Sequence, residues 1–192
     1  MTEDKTEQLD LTGRLLIAMP GMGDPRFANS LVYLCAHSET GAMGLIVNKL
    51  VPGMSFKSLL DQLEIPCQPR PGSAPLHFGG PVESSRGFVL HGTDYRSDLS
   101  TLMVNEEFAM TATLDVLEEM GQGNGPSRAL MALGYAGWGP GQLEDEIAAN
   151  GWLTCDASLE LVFDRANDRK WEAALESIGV SALMLSATAG HA

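Results

Sequence analysis

The sequence predicts an α+β fold: a single domain in which a mixed, mainly antiparallel sheet carries packed helices. Three observations predict it. Short apolar runs crowd the first half of the chain and are joined by short connections, which leave no room for the crossover helices of regular βαβ winding. Several stretches carry apolar residues at helical spacing, among them Phe56, Leu59, Leu60 and Leu63, and Trp171, Ala174, Leu175 and Ile178. A chain of 192 residues with 44% hydrophobic content can bury one real core, and no shift of composition or internal repeat marks a second unit.

The elements follow in order. Residues 1–10 are expected to be a disordered acidic tail, leaving 11–192 as the domain. Residues 14–19 form a strand whose run from Leu15 to Met19 is apolar throughout, as in a central strand covered on both faces. The breaker-rich 20–25 is a loop. Residues 31–37, the turn 38–41 and residues 42–48 form an antiparallel hairpin. Ser55 can cap the helix that presents Phe56 and Leu59, and the four prolines within 66–75 demand a loop. Gly79, Gly80 and Pro81 make a sharp turn after His77 and Phe78. Strands are expected at 88–91, 101–104 and 108–111. Thr113 then caps a helix carrying Leu114, Leu117 and Met120, ended by Gly121. A flexible loop at 121–126 precedes a strand at 129–133. Residues 152–155 form a further strand, and periodicity leaves 158–163 open between a helical turn and a strand. Asp168 caps the last helix, Gly179 ends it, and the tail after Val180 is apolar and weakly specified.

Residues 133–147 are the densest local signal. Glycines at 134, 137, 139 and 141 suggest a loop after strand 129–133. Pro140 suits a first helical position, because its φ is already helical and it has no N–H to leave orphaned. Glu144, Asp145 and Glu146 lie early in that helix, where the dipole favours them. Leu143 and Ile147 share a face, as do Gln142 and Glu146, and Asn150-Gly151 supplies a left-handed stop.

The run Gly-Trp-Gly-Pro-Gly-Gln-Leu-Glu-x-Glu-Ile at 137–147 resembles the signature of the YqgE/AlgH family of small bacterial proteins. Residues 13–20, His37 with 41–48, 79–82, 86–91, and Trp171, Leu175 and Gly179 extend the resemblance over nearly the whole chain. It implies a compact α+β cytosolic protein and no established reaction. The AlgH half of the name implies a regulatory role in alginate production, hence a transcriptional regulator as one alternative.

Charge narrows the partners. Twelve Lys and Arg stand against 25 Asp and Glu, a net −13 that opposes polyanions and anionic membrane surfaces. No apolar run reaches the roughly 20 residues that a membrane helix needs. The start is acidic where a signal peptide wants basic charge, so a cytoplasmic protein is expected, with no nucleic-acid or membrane partner. Cys35, Cys67 and Cys155 are odd in number and far apart, as suits reduced thiols.

Four constellations carry possible chemistry. The order strand, glycines, helix has the outline of a dinucleotide site, but Pro140 removes a donor and Glu144, Asp145 and Glu146 put negative charge where a phosphate would sit. Cys35 and His37, two apart, are expected on one strand face, yet no ligand-spaced partners complete a metal site; neither metal nor cofactor is expected. Asp24, His37, Asn48, His91, Gln142 and Glu146 each sit where an apolar element stops. They either satisfy buried backbone groups or converge on a shallow polar cleft. Trp138 and Trp152 flank the signature helix and are expected in the core. The leading reading is a non-enzymatic binding or regulatory protein acting through a protein partner or small ligand. The alternative is an enzyme with hydrolytic or acid–base chemistry in a His/Asp/Glu/Gln cleft.

The net charge generates one prediction. The purified protein should bind no duplex DNA sequence-specifically at physiological salt; a salt-sensitive gel shift that survives excess non-specific competitor would contradict it.

Overall fold

A computed structural model of the chain describes residues 9–67 and 75–189. Among them, ten strands join in one sheet: β1 (Arg14–Ala18), β2 (Leu31–Ser38), β3 (Gly41–Ile46), β4 (Leu50–Ser55), β5 (Pro75–Phe78), β6 (Val82–Gly92), β7 (Leu102–Met103), β8 (Phe108–Thr111), β9 (Ala129–Trp138) and β10 (Trp152–Asp156). The order is β10-β1-β2-β3-β9-β6-β8-β7, with β5 on β9 and β4 beyond it. Every pairing is antiparallel except β5 with β9. The helices are α1 (Phe56–Gln62), α2 (Leu114–Gln122), α3 (Gln142–Ala148), α4 (Asn167–Ser177) and α5 (Ala182–Ala189), with a 3-10 turn at Pro25–Phe27 and a π-helical turn at Glu160–Asp164. This is the mixed, mainly antiparallel α+β domain that the sequence predicts.

Strand alternation sorts the core into two layers. Leu15, Ile17, Leu31, Tyr33, Leu45 and Phe88 face the layer filled by Leu161, Val162, Ala174 and Leu175 from the π-helical turn and α4. The intervening Leu16, Ala18, Val32, Leu34 and Ile46 face α3, meeting Leu143. Farther along that same face, Leu76, Val89 and Met131 meet Phe56, Leu60, Val116 and Leu117 of α1 and α2. Continuous apolar strands are therefore required wherever both faces are covered.

Two irregularities reverse the alternation. The register of β2 on β3 shifts between Leu34 and Ala36, leaving Cys35 as the extra residue. Cys35 stays with the α4 layer, while His37 turns to the opposite face and reaches α3. The expectation that Cys35 and His37 share a face is thereby corrected: a bulge inserts one residue and flips every side chain after it.

The second lies in β9. Leu130 and Ala132 face the α4 layer, and so does Tyr135, three residues on; Ala136 and Trp138 face α3. The reversal sits at Gly134, whose φ is +74°. Met131, Ala132 and Leu133 pair with β5 on one edge and with β6 on the other, so residues 79–81 must carry the chain across β9. At the crossing the backbones touch: a Cβ on Gly134 would lie 2.3 Å from the Gly80 carbonyl oxygen, and one on Gly80 2.1 Å from the Tyr135 carbonyl carbon. Only glycine fits there.

The expected glycine loop of 134–141 is therefore corrected. Strand β9 runs on through Gly134 and Gly137 to Trp138, and the connection to α3 shrinks to residues 139–141. Its last residue, Gly141, is the N-cap, with φ +73° and no capping side chain. Asp168 does not cap α4: the N-cap is Ala166, and Asp168 lies inside the first turn, where its charge still meets the dipole. Gly121 does not end α2, which continues to Gln122 and closes on Gly123 in the left-handed conformation. Thr113 is the N-cap of α2, but its hydroxyl is engaged with the Asp115 side chain rather than with a backbone N–H of the helix. Ser55 caps α1 as expected, in a reciprocal arrangement with Ser58. The tail beyond Val180 forms α5, whose Leu185 packs on the α4 layer. Residues 68–74, most of the acidic tail, and His191 lie outside the described residues.

Two buried polar groups, His77 and Lys170, tie α4 to the sheet side. The Nε2 of His77 donates to Asn167 Oδ1 at 3.2 Å, and Lys170 Nζ donates to the Val47 carbonyl at 2.7 Å. Burial pushes the His77 pKa from 6.5 down to about 4 and the Lys170 pKa down to about 8. A histidine whose folded pKa is depressed binds fewer protons than the unfolded chain between those values. Its contribution is complete above pH 6.5 and is lost as the pH falls toward 4. Urea melts across that window should show stability falling with acid by up to ~1.4 kcal/mol per pH unit from this group. The fall should be correspondingly shallower in His77→Gln; an equal slope in both proteins would assign the loss to other groups.

Candidate functional site

A cleft of about 780 Å³ opens between the end of α3, the loop that follows β1, and the start of β6. Its walls include Met22, Phe27, Val82, Trp138 and Trp152, and its polar groups are Asp24, Arg26, Gln142, Glu146 and Asn150. This size suits a small organic molecule.

The cleft is built from the signature stretch upward. Leu143 is fully buried against the sheet, Ile147 packs partly beside it, and this anchors α3. One residue further round the helix, Gln142 and Glu146 face the cleft. Trp138 is the last residue of β9 and Trp152 the first of β10, so the two indoles close on the helix from strands that three others separate in the sheet. Their rings meet edge-to-face with centroids 5.9 Å apart, and Phe27 meets Trp152 in the same way at 5.7 Å.

Glu146 is the centre of this arrangement. Its Oε2 accepts from Trp138 Nε1 at 2.8 Å and from Trp152 Nε1 at 2.9 Å. Its Oε1 accepts from Gln142 Nε2 at 3.1 Å, and Gln142 Oε1 in turn accepts from the Gly139 N–H at 2.9 Å. Both indoles are buried, so without the carboxylate each N–H would cost about 1–3 kcal/mol. Among the described residues no Lys, Arg or His pairs with Glu146; its donors are all neutral.

Asp24 closes the opposite rim. It accepts from the Arg26 backbone N–H at 3.0 Å and holds the Arg26 guanidinium through Nε and Nη2, the latter at 2.7 Å. The Arg26 side chain, then its backbone N–H, hold the Asp24 carboxyl below the ordinary carboxylate value.

The structure thus brings Asp24, Gln142 and Glu146 to one cleft and places the other three expected residues elsewhere. His37 Nδ1 accepts the Leu11 N–H at 3.0 Å, so the ring proton lies on Nε2, which donates to Glu144 Oε1 at 2.5 Å. The expected convergence of His37 and Asn48 with Gln142 and Glu146 on one cleft is corrected. A helix turns about 100° per residue, so Glu144 faces β2 while Glu146 faces β10. Asn48 accepts the Leu31 N–H and donates to the Asn29 carbonyl, each at 2.9 Å, clasping the start of β2. His91 is fully buried: Nδ1 donates to the Gly92 carbonyl at 2.7 Å and Nε2 accepts from Thr111 Oγ1 at 2.8 Å. Burial lowers its pKa from the ordinary histidine value.

Sequence reasoning missed three contributors. Arg26 is two residues from Asp24 across Pro25, a spacing that could have suggested the pair. Phe27 and Met22 carry no local signal, because only the fold brings their loop onto Trp152 and Gly151. Trp138 and Trp152 were expected in the core and are buried there, yet their N–H edges define the site.

The curled, mainly antiparallel sheet with its packed helices makes this a single-domain α+β protein. The chain belongs to the AlgH-like family, DUF179, whose profile matches residues 15–183. It is 59% identical over 185 residues to a UPF0301 protein of Ruegeria pomeroyi, covering 96% of this chain and 100% of that one. A UPF0301 protein of Jannaschia sp. is 57% identical over 185 residues, covering 95% and 96%. Among solved structures, the solution structure of the AlgH protein from Pseudomonas aeruginosa is similar with TM-score 0.77 and 41% identity, over 98% of this chain and 99% of that one. A Corynebacterium diphtheriae protein at 21% identity and TM-score 0.69, covering 88% and 87%, shares the fold.

Two substitutions measure the site's supports. Leu143→Ala should cost about 2–5 kcal/mol in a denaturant melt. Glu146→Gln, which replaces one of the two acceptor oxygens with a donor and so leaves one or two of the three N–H groups unmatched, should cost about 1–3 kcal/mol. A Glu146→Gln loss as large as that of Leu143→Ala would make the carboxylate a structural group only.

Proposed function

We propose that this is a non-enzymatic protein that holds a small ligand in the cleft beside α3 and exerts a regulatory effect through that occupancy. The observation that carries the reading is Glu146: three N–H donors fix its carboxylate on the wall of an aromatic cleft, ready to accept from a ligand. Preorganised polar groups in a mostly apolar concavity are what a specific small-molecule site needs.

The enzymatic alternative loses its histidines. His37 and His91 are engaged away from the cleft, and the described residues lining it include no Ser, Thr, Cys, His or Lys to serve as nucleophile. Its two carboxylates are each held by several donors. A role as a DNA-binding transcriptional regulator is opposed by the net charge of −13. A concave, aromatic-walled site favours a small ligand over a flat protein–protein contact.

Gly23 lines the cleft, and a Cβ built there meets nothing within 4 Å. Gly23→Trp should therefore fill the cleft without disturbing the fold. A small-molecule library screened by amide chemical shifts should give hits that move the Trp138 and Trp152 Nε1–H signals, and those hits should disappear in Gly23→Trp. Hits that cluster elsewhere and survive the substitution would refute the assignment of this cleft.

A further inference from the structure

The charge of the cleft selects its ligand further. Glu146 carries a negative charge that no cation neutralises among the described residues. The one cation among the described residues that line the cleft, Arg26, is already engaged by Asp24 through two guanidinium nitrogens. Ala149, Asn150 and Gly151 bring the C-terminal end of α3 to the same lining, and the last turn of α3 holds no basic residue. That end contributes further negative potential. A carboxylate offers about four acceptor positions, and three N–H groups occupy Glu146, two on Oε2 and one on Oε1. Capacity for a further donor remains on Oε1. The surrounding walls, Met22, Phe27, Val82, Trp138 and Trp152, suit an apolar or aromatic body.

We infer that the cleft takes a small organic cation: a protonated primary amine whose ammonium meets Glu146 Oε1 and whose apolar body lies against the aromatic wall. This rests on the reading of the cleft as a ligand site and adds the ligand's charge. An ammonium supplies donors only, which matches the vacant acceptor position on Glu146 Oε1. A carboxylate or phosphate in the same position would face Glu146 and the helix end unscreened.

The test uses the full chain labelled with 15N, three probes of similar shape, phenethylamine, 2-phenylethanol and 3-phenylpropionate, and a fourth, Nα-acetyl-lysine amide. Trp171 is the internal control, because its Nε1 donates to the Ala18 carbonyl outside the cleft lining. Phenethylamine should shift the Trp138 and Trp152 Nε1–H signals saturably and leave Trp171 in place. Its affinity should exceed that of the alcohol by roughly tenfold or more and weaken between about 50 and 500 mM salt. Glu146→Gln should remove most of the difference between amine and alcohol. Because that variant also loses stability, Gly23→Trp, which leaves Glu146 intact, should abolish binding independently. Alcohol or phenylpropionate binding as tightly as the amine at the two indoles would overturn the cationic assignment while leaving the cleft a ligand site. Amine-induced shifts confined to other signals, or no binding of the amine at all, would overturn the assignment outright. Tighter binding of Nα-acetyl-lysine amide than of phenethylamine would also overturn it, in favour of a lysine side chain of a partner.

Discussion

At Gly134 two backbones pass within contact of one another, and neither has room for a side chain. The chain leaves β5 on one edge of β9 and must begin β6 on the other, so residues 79–81 cross the strand between them. The left-handed turn of Gly134 that accommodates the crossing also advances β9 out of phase. Trp138 consequently points toward α3; in unbroken alternation with Leu130 and Ala132 it would point toward α4. The indole that holds Glu146 is where it is because a backbone crossing four residues earlier left no alternative.

The site obeys the accounting that governs any buried polar group. Two indole N–H groups sit in an apolar layer and need an acceptor; one carboxylate serves both and is itself anchored by Gln142. Indole donors stabilise the anion without cancelling its charge, which separates this arrangement from an ion pair such as that of Arg26 with Asp24. Packing, hydrogen bonding and charge thus converge on α3: Leu143 fixes the helix, Trp138 and Trp152 fix the carboxylate, and the carboxylate faces open space.

Much of this was legible in the sequence, for reasons that can be stated residue by residue. The strands around Leu16, Val32 and Leu130 are continuous apolar runs because both faces of the sheet are covered. The i, i+4 spacing of Gln142 and Glu146 declared a shared helix face, and the structure puts them in direct contact. The glycine stretch misled, since glycine marks close backbone approach as well as turns, and spacing alone does not separate the two. Bulges leave no local signature either, so the reversal after Cys35 that sends His37 to Glu144 was invisible. His37, Asn48 and His91 do sit where apolar elements stop, and each satisfies neighbouring backbone groups. Polarity at a strand end is as good a mark of such duties as of a ligand.

The pairing of β1 with β10 has a consequence for time. Arg14 meets Asp156 and Ala18 meets Trp152, so β1 finds one of its two neighbours only after most of the chain exists. At the usual pace of synthesis, about 5–20 residues per second, the 142 positions separating Arg14 from Asp156 take ~7–30 s to appear. Throughout that interval β1, β2 and β3 can pair with each other, but the outer edge of β1 stays open and Leu16 and Ala18 lack the α3 layer. The nascent sheet is therefore exposed to strand-to-strand association at an edge that the finished molecule closes, and the last quarter of the chain is what ends the hazard.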